Sequence, residues 1–331
     1  MSSFRFVIIG TGNISQTYWQ VIENLDQAEV AGFVSRSLTR PDYVPKDRPV
    51  EIQKTLVQIE SSYHAVIVTT PNGLHHRGAI DAAALNKHVL VEKPLDINRE
   101  NMAAMLQACR HANVKLGVAY QRRMSRDNQT IKQLLDEGKL GRVYAADLWV
   151  KFWRGQDYYD SAPYRGGREI DGGGPFIQQA CHNVDIYCWF FGKPDKVVSM
   201  TDTFAHRIQA EDHGAVLLRH PNGMIGSMVA STVAWPGYAP ELQVHAEKGS
   251  FSMKNDIISV WDVPDLENPS ECQGQNFHSG AGSAAVTQTA GHETIVRDFI
   301  EAVQQNRKPC VPGEEAKLAT EVILDIYGNT V

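Results

Sequence analysis

The stretch that decides the fold is Phe6–Ser15, which reads FVIIGTGNIS. Its four leading apolar residues predict a buried strand, and the glycines that follow have the Gly-x-Gly-x-x-small spacing that opens a helix. Gly10 permits a tight turn, Gly12 lets the backbone approach a pyrophosphate, and Ser15 is small enough for helix–strand packing. We therefore predict a dinucleotide-binding loop, with an ordinary strand–helix turn as the alternative. Its candidate cofactor-binding residues are Gly10, Thr11, Gly12, Asn13 and Ile14.

Strands and helices continue to alternate beyond this loop. Between two apolar runs, for example, Met102, Met105 and Cys109 keep the spacing of one helical face. Such alternation predicts parallel βαβ units with right-handed crossovers, and hence a doubly wound parallel sheet of Rossmann type over residues 1–121. The predicted strands after the first are Val30–Val34, Ala65–Thr69, His88–Val91 and Lys115–Ala119.

The second predicted strand ends at Ser35-Arg36-Ser37, where a dinucleotide-binding fold reads the adenosine ribose. An acidic residue at this place binds the ribose 2′-hydroxyl group and repels a 2′-phosphate, and these positions carry none. Ser35 can donate a hydrogen bond, and Arg36 can stack on adenine or pair with the phosphate. We therefore predict NADP as the preferred cofactor, with NAD as the second choice. The alternative is that Arg36 is a solvated loop charge.

The pattern changes in the second part of the chain, where hairpins replace the βαβ units. Pro221-Asn222-Gly223 and Glu247-Lys248-Gly249 each separate two alternating runs, which is typical of a β-hairpin. We predict an α+β domain over residues 122–331, with a mostly antiparallel open sheet, a helix over Ser125–Glu137 and a long loop over Glu267–Ala285. The predicted strands are Val143–Phe152, Val197–Phe204, Ala215–Arg219, Met224–Ser231, Leu242–Ala246 and Ser250–Lys254.

A lysine follows the predicted strand His88–Val91, in the sequence Glu92-Lys93-Pro94. This is the carboxyl edge of the sheet, where doubly wound folds bind their ligands. Burial lowers the pKa of a lysine, which suits Lys93 to proton transfer or to a hydrogen bond with a substrate hydroxyl group. The alternative is a structural lysine that pairs with a carboxylate such as Glu92.

A second candidate site begins at Gly172-Gly173-Gly174-Pro175. The glycines allow a sharp turn or the approach of a ligand, and Pro175 is favoured in the first turn of a helix. In one continuous helix, Gln178, His182 and Asp185 would share a face at i, i+4 and i+7. His182 could then relay a proton, with Asp185 orienting it. The alternative is a core histidine bonded to the backbone.

The composition limits the classes of function. The chain has 331 residues and a net charge of −6, so it lacks the basic surface that nonspecific binding of nucleic acid or of an anionic membrane requires. No apolar run approaches the roughly 20 residues of a membrane span, and the N-terminal run enters a glycine turn, unlike a signal peptide. The five cysteines form no Cys-x-x-Cys pair. We therefore expect reduced thiols in a cytoplasmic protein without a structural metal.

Taken together, these motifs resemble those of the Gfo/Idh/MocA oxidoreductase family over nearly the whole chain. The Glu92-Lys93-Pro94 element, followed by the triple glycine with His182 and Asp185, is specific to that family. The other matching segments are Gly10–Ile14, Thr69–Asn72 with His75, Tyr120–Arg123, His292, Asp298–Ala302, Pro309 and Glu314–Ala316. The resemblance implies an NAD(P)-dependent dehydrogenase that transfers a hydride between nicotinamide and a carbon of a sugar, nucleotide sugar or cyclitol.

The resemblance also implies roles for individual residues. Lys93 matches the family's catalytic lysine, and His182 matches its active-site histidine. Gln178 stands where many members carry Asp, and because Gln cannot exchange a proton it can only position a ligand. The remaining implied cofactor positions are Thr70, Pro71, Asn72, His75, Glu92 and Lys93 itself. The implied substrate positions are Arg122, Tyr159, Arg165, Gln178 and Asp185.

Three alternatives to a sugar dehydrogenase stay open. Some relatives use the nicotinamide transiently, as NAD-dependent glycosidases, and a related fold serves as a non-catalytic, nucleotide-sensing regulator. The third alternative is a reductase of a non-sugar carbonyl or dihydrodiol-type substrate. The resemblance further implies a homodimer or homotetramer that is joined through the open face of the C-terminal sheet.

Overall fold

The computed structural model describes residues 3–271 and 289–330. The chain divides into two compact units, Met1–Gln121 with Val286–Lys317, and Arg122–Ala285 with Leu318–Val331. The second domain was predicted to span residues 122–331. One segment of that range, Val286–Lys317, groups with the first unit. Within the described ranges, none of the helices is long and apolar enough to cross a membrane.

The first unit contains a six-stranded, fully parallel sheet. Its strands are β1 (Phe4–Ile9), β2 (Ala28–Val34), β3 (Glu51–Gln53), β4 (Ala65–Val68), β5 (His88–Val91) and β6 (Leu116–Val118). They lie in the order β3-β2-β1-β4-β5-β6, which is the doubly wound order with its reversal between β1 and β4. The predicted Rossmann architecture is therefore confirmed. The short edge strand β3 was not predicted, because its sequence, Glu-Ile-Gln, has no apolar run.

The strands of this sheet are apolar along their whole length because helices cover both faces. Val7, Ile8, Ile67 and Val89 are completely buried. The helices of the chain are α1 (Asn13–Glu23), α2 (His75–Ala84), α3 (Arg99–His111), α4 (Arg126–Asp136), α5 (Gln156–Asp160), α6 (Pro175–Gln178), α7 (Cys181–Phe191), α8 (Ala290–Gln304) and α9 (Gly313–Gly328). The predicted helix Ser125–Glu137 corresponds to α4.

The second unit contains a seven-stranded sheet. Its strands are β7 (Val143–Lys151), β8 (Lys196–Asp202), β9 (His213–Arg219), β10 (Ile225–Ser231), β11 (Glu241–Ala246), β12 (Gly249–Lys254) and β13 (Ile257–Asp262). Their order is β13-β12-β11-β7-β10-β9-β8, and every pairing is antiparallel except that of β7 with β10. The prediction of a mostly antiparallel sheet is confirmed.

Both predicted hairpins form. β9 and β10 pair across the turn at residues 220–224, and β11 pairs with β12 across Glu247-Lys248. The predicted long loop, Glu267–Ala285, has no helix or strand in its described part, residues 267–271. Its remainder, which includes Cys272, lies outside the described residues.

Candidate functional site

The loop between β1 and α1 has the geometry that a pyrophosphate requires. Gly10 has a φ of +103°, and a Cβ atom there would lie 3.0 Å from the carbonyl carbon of Thr69. Gly12 is exposed, and a Cβ atom there would meet nothing within 4 Å. The first turn of α1 holds no acidic residue, and no side chain caps it. Its free N–H groups therefore fit an anionic phosphate.

Ser15, in the third position of the loop motif, also holds the loop in place. Its hydroxyl group donates to the carbonyl oxygen of Gly12, and its Oγ lies 2.6 Å from the hydroxyl oxygen of Tyr43. Burial raises the pKa of Tyr43, so that residue stays a hydrogen-bond donor. Tyr43 could not be found from the sequence, because it lies in an irregular segment without a motif. Tyr43 thus supports the phosphate loop through Ser15.

Hydroxyl groups line the ribose end of the cofactor region, at the end of β2. Ser35 Oγ lies 3.2 Å from Thr11 Oγ1 and 3.2 Å from Ser37 Oγ. Arg36 is exposed, as a residue that reaches a phosphate would be. Arg40 is close in sequence, but its guanidinium group already donates to the carbonyl groups of three residues of its own loop. Arg36 is therefore the better candidate for a phosphate contact.

The predicted cofactor-side loop Thr70–Asn72 follows β4 and leads into α2. His75 is buried, and its ring joins this loop to the next, with Nδ1 2.8 Å from the oxygen of Pro94 and Nε2 2.8 Å from that of Thr70. Burial lowers the pKa of His75 despite these two bonds, so the neutral ring is favoured and donates to one carbonyl at a time. The ring of His75 therefore holds the two loops together. The Oγ1 atom of Thr70 is buried and has no hydrogen-bond partner among the described residues. That hydroxyl group suits a ligand.

Lys93 lies two residues beyond the end of β5 and is partly exposed. Its neighbour Glu92 is buried, and the carboxylate accepts a hydrogen bond from the hydroxyl group of Tyr18 at 2.7 Å. The same oxygen lies 3.5 Å from Nε2 of His292, and the other oxygen accepts the backbone N–H of Lys93 at 3.1 Å. Glu92, predicted to contact the cofactor, is thus occupied by groups of the protein and fixes the backbone at Lys93.

The charge of Glu92 is stabilised despite its burial. Burial by itself raises the pKa of a carboxyl group, but the hydrogen bonds and charges of His292, Tyr18 and Lys93 together outweigh it, and the pKa of Glu92 is lowered. The pKa of Tyr18 is raised well above its ordinary value by burial and by the neighbouring carboxylate. Tyr18 therefore remains a donor to an ionised Glu92. His292 lies in one of the segments that match the family, whereas no sequence motif pointed to Tyr18.

In the second unit, the predicted single helix after Pro175 is wrong. The N–H of Ala180 bonds to the oxygen of Pro175, five residues back, at 2.8 Å, and this wide turn separates α6 from α7. Gln178 therefore ends one helix, whereas His182 and Asp185 lie on the next. Gln178 donates through Nε2 to the backbone oxygen of Asp171. Both Gln178 and His182 are partly exposed, as groups that contact a substrate must be.

The carboxylate of Asp185, a predicted substrate contact, is bound by an arginine of the same unit. Arg123 donates to both of its carboxylate oxygens, at 2.8 Å through Nε and 2.7 Å through Nη2. Both side chains are buried, at 4% and 1% exposure. A bidentate buried pair of this kind holds elements together, so the geometry favours a structural role for Asp185 over a substrate contact.

Two further predicted substrate residues also have partners inside the unit. Tyr159 is only 5% exposed, and its hydroxyl oxygen lies 2.7 Å from Oγ1 of Thr232. Burial raises the pKa of Tyr159 to about 12, so it remains protonated. Arg122 is partly exposed, and its Nη1 lies 3.5 Å from Asp256. Tyr159 is therefore held inside the unit, whereas Arg122 keeps some access to solvent.

The triple glycine makes room for internal neighbours of the same unit. A Cβ atom at Gly173 would overlap the hydroxyl group of Tyr327, and one at Gly174 would overlap the backbone oxygen of Glu211. Glu211 accepts hydrogen bonds from the hydroxyl group of Tyr327 at 3.0 Å and from the N–H of Gly174 at 3.1 Å. The sequence suggested that these glycines allow a sharp turn or the approach of a ligand. The structure shows a further reason for Gly173 and Gly174, which is the close approach of other groups of the protein.

The predicted catalytic pair, Lys93 and His182, belongs to different compact units. Their joint action therefore stays a prediction. Over residues 3–271 and 289–330, no three His, Cys, Asp or Glu side chains form a group that could hold a metal ion.

Comparison with known proteins gives two family matches that together span most of the chain. Residues 4–120 match the oxidoreductase family with an NAD-binding Rossmann fold, and residues 128–252 match the Gfo/Idh/MocA C-terminal domain. These two segments contain Lys93 and His182, respectively.

Individual relatives agree with this assignment. Oxidoreductase P35 of Formosa agariphila is 26% identical over 81% of this chain and 79% of its own length. The scyllo-inositol 2-dehydrogenase (NADP(+)) IolW of Bacillus subtilis is 26% identical over 76% of this chain and 69% of its own. The structure of the WlbA dehydrogenase of Bordetella pertussis, in complex with NADH and UDP-GlcNAcA, has a TM-score of 0.85, 28% identity, and coverage of 99% of this chain and 96% of that one. The chain belongs to the Gfo/Idh/MocA family of NAD(P)-dependent oxidoreductases.

Proposed function

We propose that this protein is a dehydrogenase that transfers a hydride between NAD(P) and a carbon of a sugar, nucleotide sugar or cyclitol. The observation that carries the proposal is the position of Lys93, beyond β5 at the ligand-binding edge of the sheet, with its backbone N–H held by the buried Glu92. The substrate class is supported by IolW, named an inositol dehydrogenase, and by WlbA, which was crystallised with UDP-GlcNAcA.

In this proposal the protein supplies position and proton transfer. Lys93 hydrogen-bonds the reacting oxygen of the substrate and accepts or gives its proton, with His182 as its partner. Gln178 and Arg122 contact the substrate, and Thr70 Oγ1 offers a hydrogen bond to the cofactor. Nicotinamide, when bound, supplies the acceptor or donor of the hydride. Residues 1–121 would form the dinucleotide-binding domain, and residues 122–331 the substrate-binding and oligomerisation domain.

For the cofactor, the proposal favours NADP over NAD. Ser35 and Ser37 present hydroxyl groups at the end of β2, and Arg36 extends into solvent beside them. No carboxylate in this short segment would repel a 2′-phosphate.

The proposed assembly is a homodimer or homotetramer joined through the open face of the second sheet. Large apolar side chains are exposed on its neighbouring strands β8, β9 and β10, namely Met200 at 66%, Leu217 at 62% and Ile225 at 57%. A monomer gains no stability from such a patch, whereas a partner copy would bury it. For the location we propose the cytoplasm, where thiols stay reduced. Cys109, Cys181, Cys188 and Cys310 form no disulfide bond with one another in the described part of the chain.

The test is a screen of sugars, cyclitols and nucleotide sugars with NAD⁺ and NADP⁺, followed by the absorbance of the reduced nicotinamide. The proposal expects oxidation of at least one of these classes. Cleavage of an aryl glycoside without net reduction of the cofactor would instead indicate a glycosidase. Reduction of a diketone alone would indicate a carbonyl reductase, and cofactor binding without any turnover would indicate a regulator.

A further inference from the structure

Glu211 is a buried carboxylate that neither the family motifs nor the proposed reaction uses. It lies two residues before β9, in the second unit, and is only 5% exposed. Burial raises the pKa of Glu211, and the hydrogen bonds that it accepts oppose this effect only in part. Because a carboxylate is costly to bury, the groups that bind it indicate what it does in the fold.

One oxygen of this carboxylate caps the helix that carries Gln178. The Oε2 atom of Glu211 accepts the backbone N–H of Gly174, the residue directly before α6, at 3.1 Å. The backbone N–H of Phe176, inside the first turn of α6, also favours the ionised carboxylate by hydrogen bonding. The first turn of α6 contains no acidic residue and no capping side chain of its own. Glu211 therefore supplies, from a distant part of the sequence, the acceptor that the beginning of this helix needs.

The other oxygen of the carboxylate is held by the C-terminal helix. The hydroxyl group of Tyr327, on α9, donates to Oε1 of Glu211 at 3.0 Å. The pKa of Tyr327 is raised well above its ordinary value by burial and by this carboxylate, so the hydroxyl group remains a donor. Gly173 has a φ of +143°, and a Cβ atom there would lie 2.3 Å from the hydroxyl oxygen of Tyr327. The carboxylate is thus fixed on one side by α9 and binds α6 with the other.

The capped turn leads directly to a predicted substrate residue. The N–H of Gln178 donates to the carbonyl oxygen of Gly174 at 3.0 Å, so Gln178 is bonded to the same residue that Glu211 binds. The helix α6 has only four residues and therefore no second turn that would hold it independently. The position of Gln178 consequently depends on how firmly this single turn is held.

We propose that Glu211 is a positioning residue for the substrate, because it holds the first turn of α6 and thereby places the side chain of Gln178. Tyr327 acts with it by fixing the direction of the carboxylate. A glutamine can position a ligand only through hydrogen bonds, and these weaken steeply when their angles depart from the preferred range. This inference rests on the proposed function and adds two residues to its substrate-binding machinery.

The test uses the substrate found in the screen and separates KM from kcat. Glu211→Leu removes both acceptor oxygens, and KM is expected to rise about ten-fold while kcat changes less than about three-fold. Tyr327→Phe should raise KM in the same direction but less. Glu211→Gln should recover most of the loss, because its amide oxygen can accept the N–H of Gly174 while its NH₂ group donates to the hydroxyl oxygen of Tyr327.

The control for a general loss of stability is Ile131→Val, a completely buried residue of α4 in the same unit. It makes a small cavity away from α6 and should leave KM unchanged. A KM in Glu211→Leu that equals the wild-type value would overturn the inference. An equal rise in Ile131→Val, or no recovery in Glu211→Gln, would also overturn it.

A second measurement does not need turnover. If no sugar is oxidised, the proposed function fails, and hydrogen–deuterium exchange of the backbone N–H groups at residues 174–179 still tests the capping by Glu211. Exchange there should be faster in Glu211→Leu than in wild type and in Ile131→Val, and close to wild type in Glu211→Gln. Unchanged exchange in Glu211→Leu would reject the role of Glu211 in holding α6.

Discussion

Tyr18 and Glu92 form a hydrogen bond of 2.7 Å that joins α1 to the residue before Lys93. α1 is the helix whose N-terminus faces the predicted pyrophosphate, and Lys93 is the predicted catalytic residue. The ring of His292 packs edge-on against Tyr18, with ring centres 5.4 Å apart, and its Nε2 faces the same carboxylate. The cofactor helix and the lysine segment are therefore fixed to each other through one buried carboxylate.

Removal of the Tyr18 hydroxyl group tests this connection. Tyr18→Phe should lower the free energy of unfolding by about 1.5–3 kcal/mol, because a buried carboxylate loses a donor. It should also lower kcat several-fold, since the position of Lys93 becomes less well defined. Urea unfolding and steady-state kinetics measure the two effects. Tyr63→Phe is the control, because Tyr63 is a buried tyrosine without a carboxylate partner among the described residues. Equal effects of both variants would contradict the role of Tyr18.

The lowered pKa of Glu92 predicts a pH dependence of stability. A carboxyl group whose pKa is lower in the folded state adds stability above its ordinary pKa, and this is lost as the pH falls through the folded-state value. The difference in unfolding free energy between wild type and Glu92→Gln should therefore be largest near neutral pH and should shrink in acid. Urea unfolding across a pH series measures it, with the exposed Glu60→Gln as control. A difference that stays constant with pH would count against the prediction.

Lys93→Met tests the proposed proton transfer. Loss of a positioned general acid–base group should lower kcat by about 100-fold or more, while the Kd of the cofactor changes little. Turnover of the substrate found in the screen and fluorescence titration with NADPH measure the two quantities. The exposed Lys139→Met serves as the matched control. Near-normal turnover by Lys93→Met would remove this residue from the mechanism.

The ion pair between Arg123 and Asp185 is expected to be essential for stability. Arg123→Met leaves a buried carboxylate without its partner, which costs about 3–5 kcal/mol. The exposed pair of Arg297 and Glu293, 2.8 Å apart, offers a comparison. Arg297→Met should cost no more than about 0.5 kcal/mol, because exposed helical pairs contribute little. Urea unfolding measures both variants. A small loss in Arg123→Met would restore the possibility of a substrate role for Asp185.

Arg36→Ala tests the predicted cofactor preference. If Arg36 pairs with the 2′-phosphate, its loss should lower the preference for NADPH over NADH about ten-fold, because a charge-assisted hydrogen bond is lost. Kd values for both cofactors, measured by fluorescence, give the preference. Arg77→Ala, an exposed arginine on α2, is the control. An unchanged preference would mean that Arg36 is a solvated loop charge.

Local sequence patterns were sufficient to predict those strands and turns that form through interactions between residues close in sequence. The strand His88–Val91 was predicted with its observed bounds, and the loop at Gly10–Ile14 was placed between a strand and a helix, because apolar runs and glycine turns act over a few residues. The break between Gln178 and Cys181 was not predicted. Ala180 favours a helix, and the wide turn there depends on the hydrogen bond of its N–H to the oxygen of Pro175.

The sequence by itself thus determined the two sheets, the phosphate loop, the position of Lys93 and the family. Only the tertiary structure decided which polar groups of the chain bind one another. Tyr18 and Glu92 are 74 residues apart, and Arg123 and Asp185 are 62 apart. No local pattern links residues at such separations, and a buried charge is stabilised by whichever partner the folded chain brings to it. For that reason the partners of Glu92 and Asp185 became visible only in the folded chain.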